Sequence, residues 1–251
     1  MTVLSTLPAE CIDLVVTSPP YDNLREYGGH AWDFAGVARE LTRVLKPGGV
    51  IVWVVNDAVI DGSESGTSMR QALGFMDAGL RLHDTMIYDK GKCVYADPTR
   101  YGQSFEFMFV LAKGKPVTLN KLKDRENKWG GTKTFGINTE RQRDGTLKPR
   151  DGFTLADMSQ RMNIWKYRNG AGNEETTGHP AAFPIALAKD HISSWSNPGD
   201  VVLDPFAGSG TSLKAAKELN RHWLGIEINP AYVEICYKRL AQDVLNLEDM
   251  Q

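Results

Sequence analysis

Val201–Glu227, VVLDPFAGSGTSLKAAKELNRHWLGIE, is the stretch that decides the fold. Val201 to Leu203 is a short apolar run of the kind that forms a buried strand. Asp204 to Thr211 (DPFAGSGT) is a glycine-bearing loop, Ser212 to Leu219 is helical in pattern, and His222 to Ile226 is a second strand ending at Glu227. Strand, glycine loop, helix, then a strand ending in an acid is a nucleotide-binding βαβ unit, which places the chain in the α/β class with a mostly parallel sheet. Gly208 and Gly210 let the backbone turn tightly and approach a ligand. Thr211 opens a helix whose amides and positive dipole end favour a carboxylate or phosphate. Glu227, 16 positions further on, is placed to accept hydrogen bonds from a ribose diol. A dinucleotide fingerprint wants a third glycine where this chain has Leu213. The loop alone leaves nicotinamide-type and S-adenosyl-L-methionine-type cofactors open.

A second stretch carries chemistry of its own. Ile12–Tyr21 reads IDLVVTSPPY. Ile12, Leu14, Val15 and Val16 are the apolar run of a buried parallel strand. The run stops at Thr17-Ser18-Pro19-Pro20-Tyr21. Two prolines remove two N–H donors and fix φ, so neither strand nor helix continues through them. The result is a rigid bend with undonated carbonyls, a hydroxyl on one side and an aromatic ring on the other. Such a bend suits a flat group bearing an amino substituent: the hydroxyl and a carbonyl accept from NH2 while the ring stacks on the face.

The remaining pattern supplies the frame. Phe34 to Leu45 has amphipathic helical spacing. Lys46-Pro47-Gly48-Gly49 closes it, and Val50 to Val55 is a second buried strand. Ser68 to Gly79 reads as a helix. Leu80 to Tyr88 and Phe105 to Ala112 read as an antiparallel pair at the sheet edge, since no crossover helix separates them. Phe183 to Ser194 and Tyr232 to Val244 read as further helices, and Asp22 to Asp33 as a loop that could cover the bend.

Composition narrows the class. The chain has 251 residues, 41% hydrophobic and 24% charged. That is expected of one large globular domain or a domain with an insertion. No run approaches the roughly 20 apolar residues that cross a bilayer, and no signal pattern opens the chain. Cys11, Cys93 and Cys236 are too far apart for a zinc pair and odd in number. That usage points to a reducing, intracellular setting. The histidines show no metal spacing. The formal charge of −2 hides an asymmetry: Lys113 to Gly170 holds eight Lys and six Arg against six acids, a net of +8, leaving −10 elsewhere. Rings are interleaved with the basic residues of this segment: Trp129, Phe135, Phe153, Trp165 and Tyr167. Such a mixture fits a surface that holds phosphates and stacks bases.

Together, DPFAGSGT and VTSPPY resemble the motifs of the amino-methylating (cytosine-N4 and adenine-N6) DNA methyltransferases. Catalytic bend first, cofactor loop last and a variable insertion between them is the order of that family's permuted β group. HPAAFPIALAK (His179 to Lys189), KPGGVIVWVV (Lys46 to Val55) and FEFMFVLAKGKP (Phe105 to Pro116) are also familial in look. The resemblance implies a Rossmann-like, circularly permuted fold binding S-adenosyl-L-methionine. It implies a catalytic half at 1–112, a basic target-recognition insertion at 113–178 and a cofactor-binding half at 179–251. Asp204, Phe206, Gly208, Ser209, Gly210 and Thr211 would cradle the methionine part and Glu227 the ribose. His179, Pro180 and Pro184 would close the pocket, while Ser18, Pro19, Pro20 and Tyr21 would receive a base flipped from the duplex.

The implied partner is double-stranded DNA, with no membrane. A cognate restriction endonuclease, self-association and a cytoplasmic setting in a bacterial or phage-infected cell are compatible with it. Serine at the head of SPPY resembles the cytosine-N4 branch, whereas the adenine-N6 branch usually carries Asp there; a hydroxyl can serve either amine. RNA or protein N-methylation is a more distant alternative. A nicotinamide oxidoreductase would share the glycine loop but has no use for the proline bend. In the family a strand bearing an acid usually precedes the segment matching Met1 to Ala9. This chain starts too late for it, so the expectation is a sheet without that strand, a truncated start, or a substitute segment.

Overall fold

The computed structural model describes residues 3–20, 33–91, 98–134, 138–150, 152–167 and 184–241. Tyr21, most of the 22–33 loop, Phe135, His179 and Pro180 lie outside the described residues. The chain divides into two compact units, a larger one of Met1–Asn120 with Asn163–Gln251, and a smaller one of Lys121–Met162.

Among the described residues the main sheet of the larger unit has seven strands: β1 (Ile12–Thr17), β2 (Leu45–Val55), β3 (Arg81–Asp89), β4 (Phe105–Ala112), β5 (Ile164–Lys166), β6 (Val201–Asp204) and β7 (His222–Gly225). They lie in the order β5-β3-β4-β2-β1-β6-β7. All neighbours pair in parallel except β4, which runs antiparallel to both β2 and β3. The sheet is thus mostly parallel with the expected antiparallel pair. That pair sits one strand in from the edge, because the three-residue β5 adds outside β3.

The helices are α1 (Phe34–Val44), α2 (Thr67–Asp77), α3 (Ile185–Trp195), α4 (Thr211–Glu218) and α5 (Pro230–Ala241). Alternation along the central strands gives each face its own core. Val15, Ile51, Trp53, Val55, Phe109 and Leu111 pack with Val37, Leu41 and Val44 of α1 and Phe75 of α2. Asp33 caps α1, its carboxylate accepting from Gly36 N at 3.0 Å. The bond satisfies one of the amides that every helix start leaves without a partner. Trp53 anchors this layer, with its ring centre 4.8 Å from that of Phe75 in an edge-on contact. Its Nε1 donates to Gln71 Oε1 at 2.8 Å, giving the buried indole the partner it needs. On the opposite face α3 buries Leu187, His191 and Ile192; His191 Nε2 lies 3.1 Å from Met108 Sδ of β4.

The Lys46-Pro47-Gly48-Gly49 segment, expected only to end a helix, is part of β2. Ile12 pairs with Leu45 and Leu14 with Val50, so these four residues bulge out between two registers. The bulge needs its glycine: Gly48 sits at φ +80°, and a Cβ there would lie 2.3 Å from Val117 Cγ1. Glycine alone adopts such a backbone without steric cost. Asp13 fixes the other side, accepting from Lys46 Nζ at 2.7 and 2.8 Å and from Val201 N at 2.9 Å. One carboxylate thereby ties β1 to the bulge and to the start of β6.

The smaller unit carries short antiparallel ladders, Arg125–Glu126 with Met158–Ser159 and Asn138–Arg141 with Leu147–Arg150. Arg161 pairs with Asp124, and its hydrogen bond holds that carboxyl below the usual range. Trp129 is exposed, with Lys128 Nζ 5.4 Å from its ring centre. That distance is within reach of a cation–π contact. Residues 113–120 and 163–167, within the basic stretch singled out by charge, belong to the larger unit. Trp165, expected among the exposed base-stacking rings, is instead buried in β5 and stacks on His191 at 4.4 Å. A strand partner overrides what local composition suggested.

Candidate active site

The carboxyl ends of β1 and β6 are neighbours. Leu14 pairs with Val202 and Val15 with Leu203, which brings Thr17 beside Asp204. Thr17 Oγ1 donates to Asp204 Oδ1 at 2.6 Å across 187 positions of sequence, with both residues buried. Phe206 N donates to the same oxygen at 3.0 Å. Burial pushes the Asp204 carboxyl up to about 6, against the lowering effect of the Thr17 hydroxyl and the Phe206 amide. Ser18, Pro19 and Pro20 follow Thr17 directly; Pro19 is buried, and Ser18 and Pro20 are half-buried at the sheet's carboxyl edge. Phe206 reaches across, its ring 6.1 Å from Trp53 in an edge-on contact.

The glycine loop is held at both ends by backbone bonds. Ala207 N donates to Ile226 O at 2.9 Å, and Ile226 N donates to Asp204 O at 3.0 Å, so the loop lies against the end of β7. Glu227 bridges the two segments, Oε2 accepting from Gly208 N and Oε1 from Asn229 N, each at 2.8 Å. Gly210 is the N-cap of α4 in the left-handed region (φ +81°), and no side chain caps the helix. A Cβ on Gly210 would fall 2.5 Å from Cys236 Sγ of α5, so the loop is packed tightly on that side. Ser209 and Thr211 are buried with it.

These donors and acceptors suit one kind of ligand. An uncapped first helical turn offers amides to a carboxylate. Glu227 takes one amide on each carboxylate oxygen. Each such oxygen has two lone-pair sites, so the side chain retains capacity for a pair of hydroxyls. A carboxylate at one end and a diol at the other is the pattern of S-adenosyl-L-methionine, and the residues fit it. Pro184 opens α3 as its N-cap. Among the described residues no group of three or more His, Cys, Asp or Glu could hold a metal ion, and no helix is long and apolar enough to cross a membrane.

Three features of this edge carry no local signal in the sequence. Thr17, one position before the serine singled out, makes the bond that joins the two motifs. Asp57, just past β2, is buried and accepts from Ser65 Oγ (3.1 Å), Ser68 N (2.9 Å) and Ser68 Oγ (2.5 Å), fixing the start of α2. Arg239 of α5 reaches the glycine loop itself, with Nη1 donating to Ser209 O at 2.9 Å.

Known proteins resemble this chain in sequence and fold. The profile of a family described as DNA methylase matches residues 12–238. The chain is 48% identical over 241 residues to the orphan methyltransferase M.BamHII of Bacillus amyloliquefaciens, covering 93% of this chain and 90% of that protein. The structure of TTHA0409, titled a putative DNA modification methylase of Thermus thermophilus and complexed with S-adenosyl-L-methionine, is 27% identical. It superimposes with a TM-score of 0.63 over 98% of this chain and 93% of its own. The PvuII DNA methyltransferase (cytosine-N4-specific) shares the fold at 21% identity, with a TM-score of 0.68 over 98% of this chain and 86% of its own. A profile spanning nearly the whole chain, and a glycine loop and proline bend joined through Thr17 and Asp204, make this chain a member of the DNA methylase family, an S-adenosyl-L-methionine-dependent enzyme that methylates an amino group of DNA.

Proposed function

We propose that the chain transfers a methyl group to the N4 amine of a cytosine flipped out of double-stranded DNA at a specific site. The Thr17–Asp204 bond carries the reading, because it joins the strand that runs into Ser18 to the cofactor loop. S-adenosyl-L-methionine, when bound, supplies an electrophilic sulfonium methyl. The chain's residues supply geometry. Asp204, Phe206, Gly208, Ser209, Gly210, Thr211 and Glu227 hold the cofactor, a role that the family resemblance extends to His179 and Pro180.

The amine is a weak nucleophile, since its lone pair is delocalised into the ring. Hydrogen bonds from NH2 to the Ser18 hydroxyl and the Pro19 carbonyl favour a tetrahedral nitrogen whose lone pair faces the methyl. Pro20 stiffens the bend and Tyr21 stacks on the base. The remainder of the rate enhancement is alignment for in-line transfer, in which the bond from methyl to sulfur would break as the bond to nitrogen forms and the surplus amine proton would pass to water. No covalent adduct to the base is required, so none of the three cysteines needs to be a nucleophile. The smaller unit, with Trp129 and its basic residues, serves target recognition.

The choice of cytosine rests on Ser18, whose hydroxyl accepts a hydrogen bond without bringing a charge. The test is in vitro methylation of unmodified DNA with tritium-labelled S-adenosyl-L-methionine, followed by nucleoside mass spectrometry. N4-methylcytosine is expected; N6-methyladenine alone overturns the base assignment, and no label in DNA overturns the activity. The reading extends to a restriction–modification role in the cytoplasm of a bacterial or phage-infected cell, with a cognate endonuclease and self-association as features to be checked by nuclease challenge and by sedimentation.

A further inference from the structure

We propose that Arg239 is a positioning residue that sets affinity for the methionine end of the cofactor, and so deepens the reading above. Arg239 lies on α5 and is 6% exposed. Its Nη1, which carries two hydrogens, lies within hydrogen-bond reach of Ser209 O at 2.9 Å, Ser209 Oγ at 3.0 Å and Thr211 Oγ1 at 3.3 Å. All three acceptors belong to the glycine loop and the first residue of α4. Next to it on α5, Cys236 and Leu240 are buried with Ala207 and Leu213 in a small apolar cluster. A methionine or leucine would fill such a place without the desolvation cost of a buried guanidinium, so filling space does not account for an arginine.

The bonding pattern does. The Ser209 carbonyl and the Gly210 N–H belong to one planar trans peptide and point in opposite directions. Drawing the oxygen toward Arg239 aims the N–H at Ala207 O, where it bonds at 2.7 Å and closes the turn. That turn delivers the chain into α4 through the left-handed Gly210, leaving the first-turn amides uncapped. The guanidinium bonds to the residues that open α4, so it adds to the positive potential that a ligand carboxylate meets at this helix start. Arg239 thereby acts on the cofactor through the loop, from behind it. The closing helix, whose sequence reads simply as a further helix, becomes part of the binding apparatus.

The effect is specific to the amino-acid end of the ligand, which gives a readout that loss of packing alone cannot produce. Arg239→Lys keeps the charge and loses the fork; Arg239→Met keeps the volume and loses both. Binding of S-adenosyl-L-methionine and of 5′-methylthioadenosine, which has the nucleoside and thioether but no amino acid, is measured by calorimetry on the full chain, together with steady-state kinetics on DNA. Charge-assisted bonds of this kind predict that Arg239→Met weakens S-adenosyl-L-methionine by about 10-fold or more, and Arg239→Lys by less. Methylthioadenosine affinity changes by less than about 2-fold in either variant, and the cofactor KM rises while kcat at saturation holds. Equal loss of both ligands, or no loss of either, overturns the proposal. If Arg239→Met does not fold, Arg239→Lys decides by the same comparison. A wild-type chain that fails to bind S-adenosyl-L-methionine would refute the cofactor site itself, a separate failure.

Discussion

Replacing Gly210 by alanine tests the tightest contact in the cofactor loop. Two independent costs follow from the geometry. Gly210 sits at φ +81°, in the left-handed region. An alanine held there costs about 1–2 kcal/mol. Its Cβ would also lie 2.5 Å from Cys236 Sγ and 3.3 Å from Cys236 Cβ. Relieving an overpacked contact of this kind by shifting α5 or the loop costs about 1–3 kcal/mol. Gly210→Ala is therefore expected to destabilise the fold by about 2–5 kcal/mol. The double variant Gly210→Ala/Cys236→Ala separates the two costs. It removes the sulfur but not the Cβ contact, so it should recover most of the packing part and none of the conformational part, a coupling of about 1–2 kcal/mol beyond additivity. Urea unfolding followed by tryptophan fluorescence measures all four members of the cycle. A Gly210→Ala chain within about 0.5 kcal/mol of wild type, or a double variant that merely sums the single costs, would show that the loop does not bear on α5 as described.

Other expectations follow from the same edge. Asp204 has its folded pKa raised to about 6 from 3.8, so the folded state holds the proton more tightly than the unfolded chain. Its contribution to stability is complete below the unfolded value and is lost as pH rises through the window between the two. Over that span the decline is on the order of 3 kcal/mol. Unfolding curves across the window should show the slope in wild type and not in Asp204→Asn. Thr17→Val removes the hydroxyl that donates to Asp204. The loss costs about 1–3 kcal/mol in thermal unfolding and moves the window upward in pH. Ser18→Ala should lower kcat on DNA by about 100-fold with cofactor affinity unchanged, since its hydroxyl is assigned to the amine and not to the cofactor. Equal loss in cofactor binding would put Ser18 in the wrong half of the site.

What could be read in the sequence was what depends on local pattern. Val50–Val55 is apolar and buried at every position. A continuous run of that kind is what a strand covered on both faces requires. The Gly208–Thr211 turn and Glu227 were visible because the backbone there needs specific residue types at fixed spacing. What escaped were features defined by a distant partner. Ile164–Lys166 is a strand only because β3 lies beside it, and its sequence, IWK, sits in a stretch without periodicity. The bulge in β2 exists because Ile12 and Leu14 choose partners five residues apart. Arg239 and Thr17 are ordinary residues for a helix and a strand, and only tertiary placement shows that they join one loop to its supports.

The pairing of β1 with β6 also bears on how the protein comes into being. A nascent chain exposes β1 early, whereas its companion on one side, Val201–Asp204, leaves the ribosome much later. During that interval a strand buried on both faces in the finished protein has one edge without its ladder, a hazard for intermolecular pairing. The long loop to be closed also predicts slow folding. If the proposed site is right, methylating competence arises only after translation has passed Glu227, the last residue assigned to the cofactor.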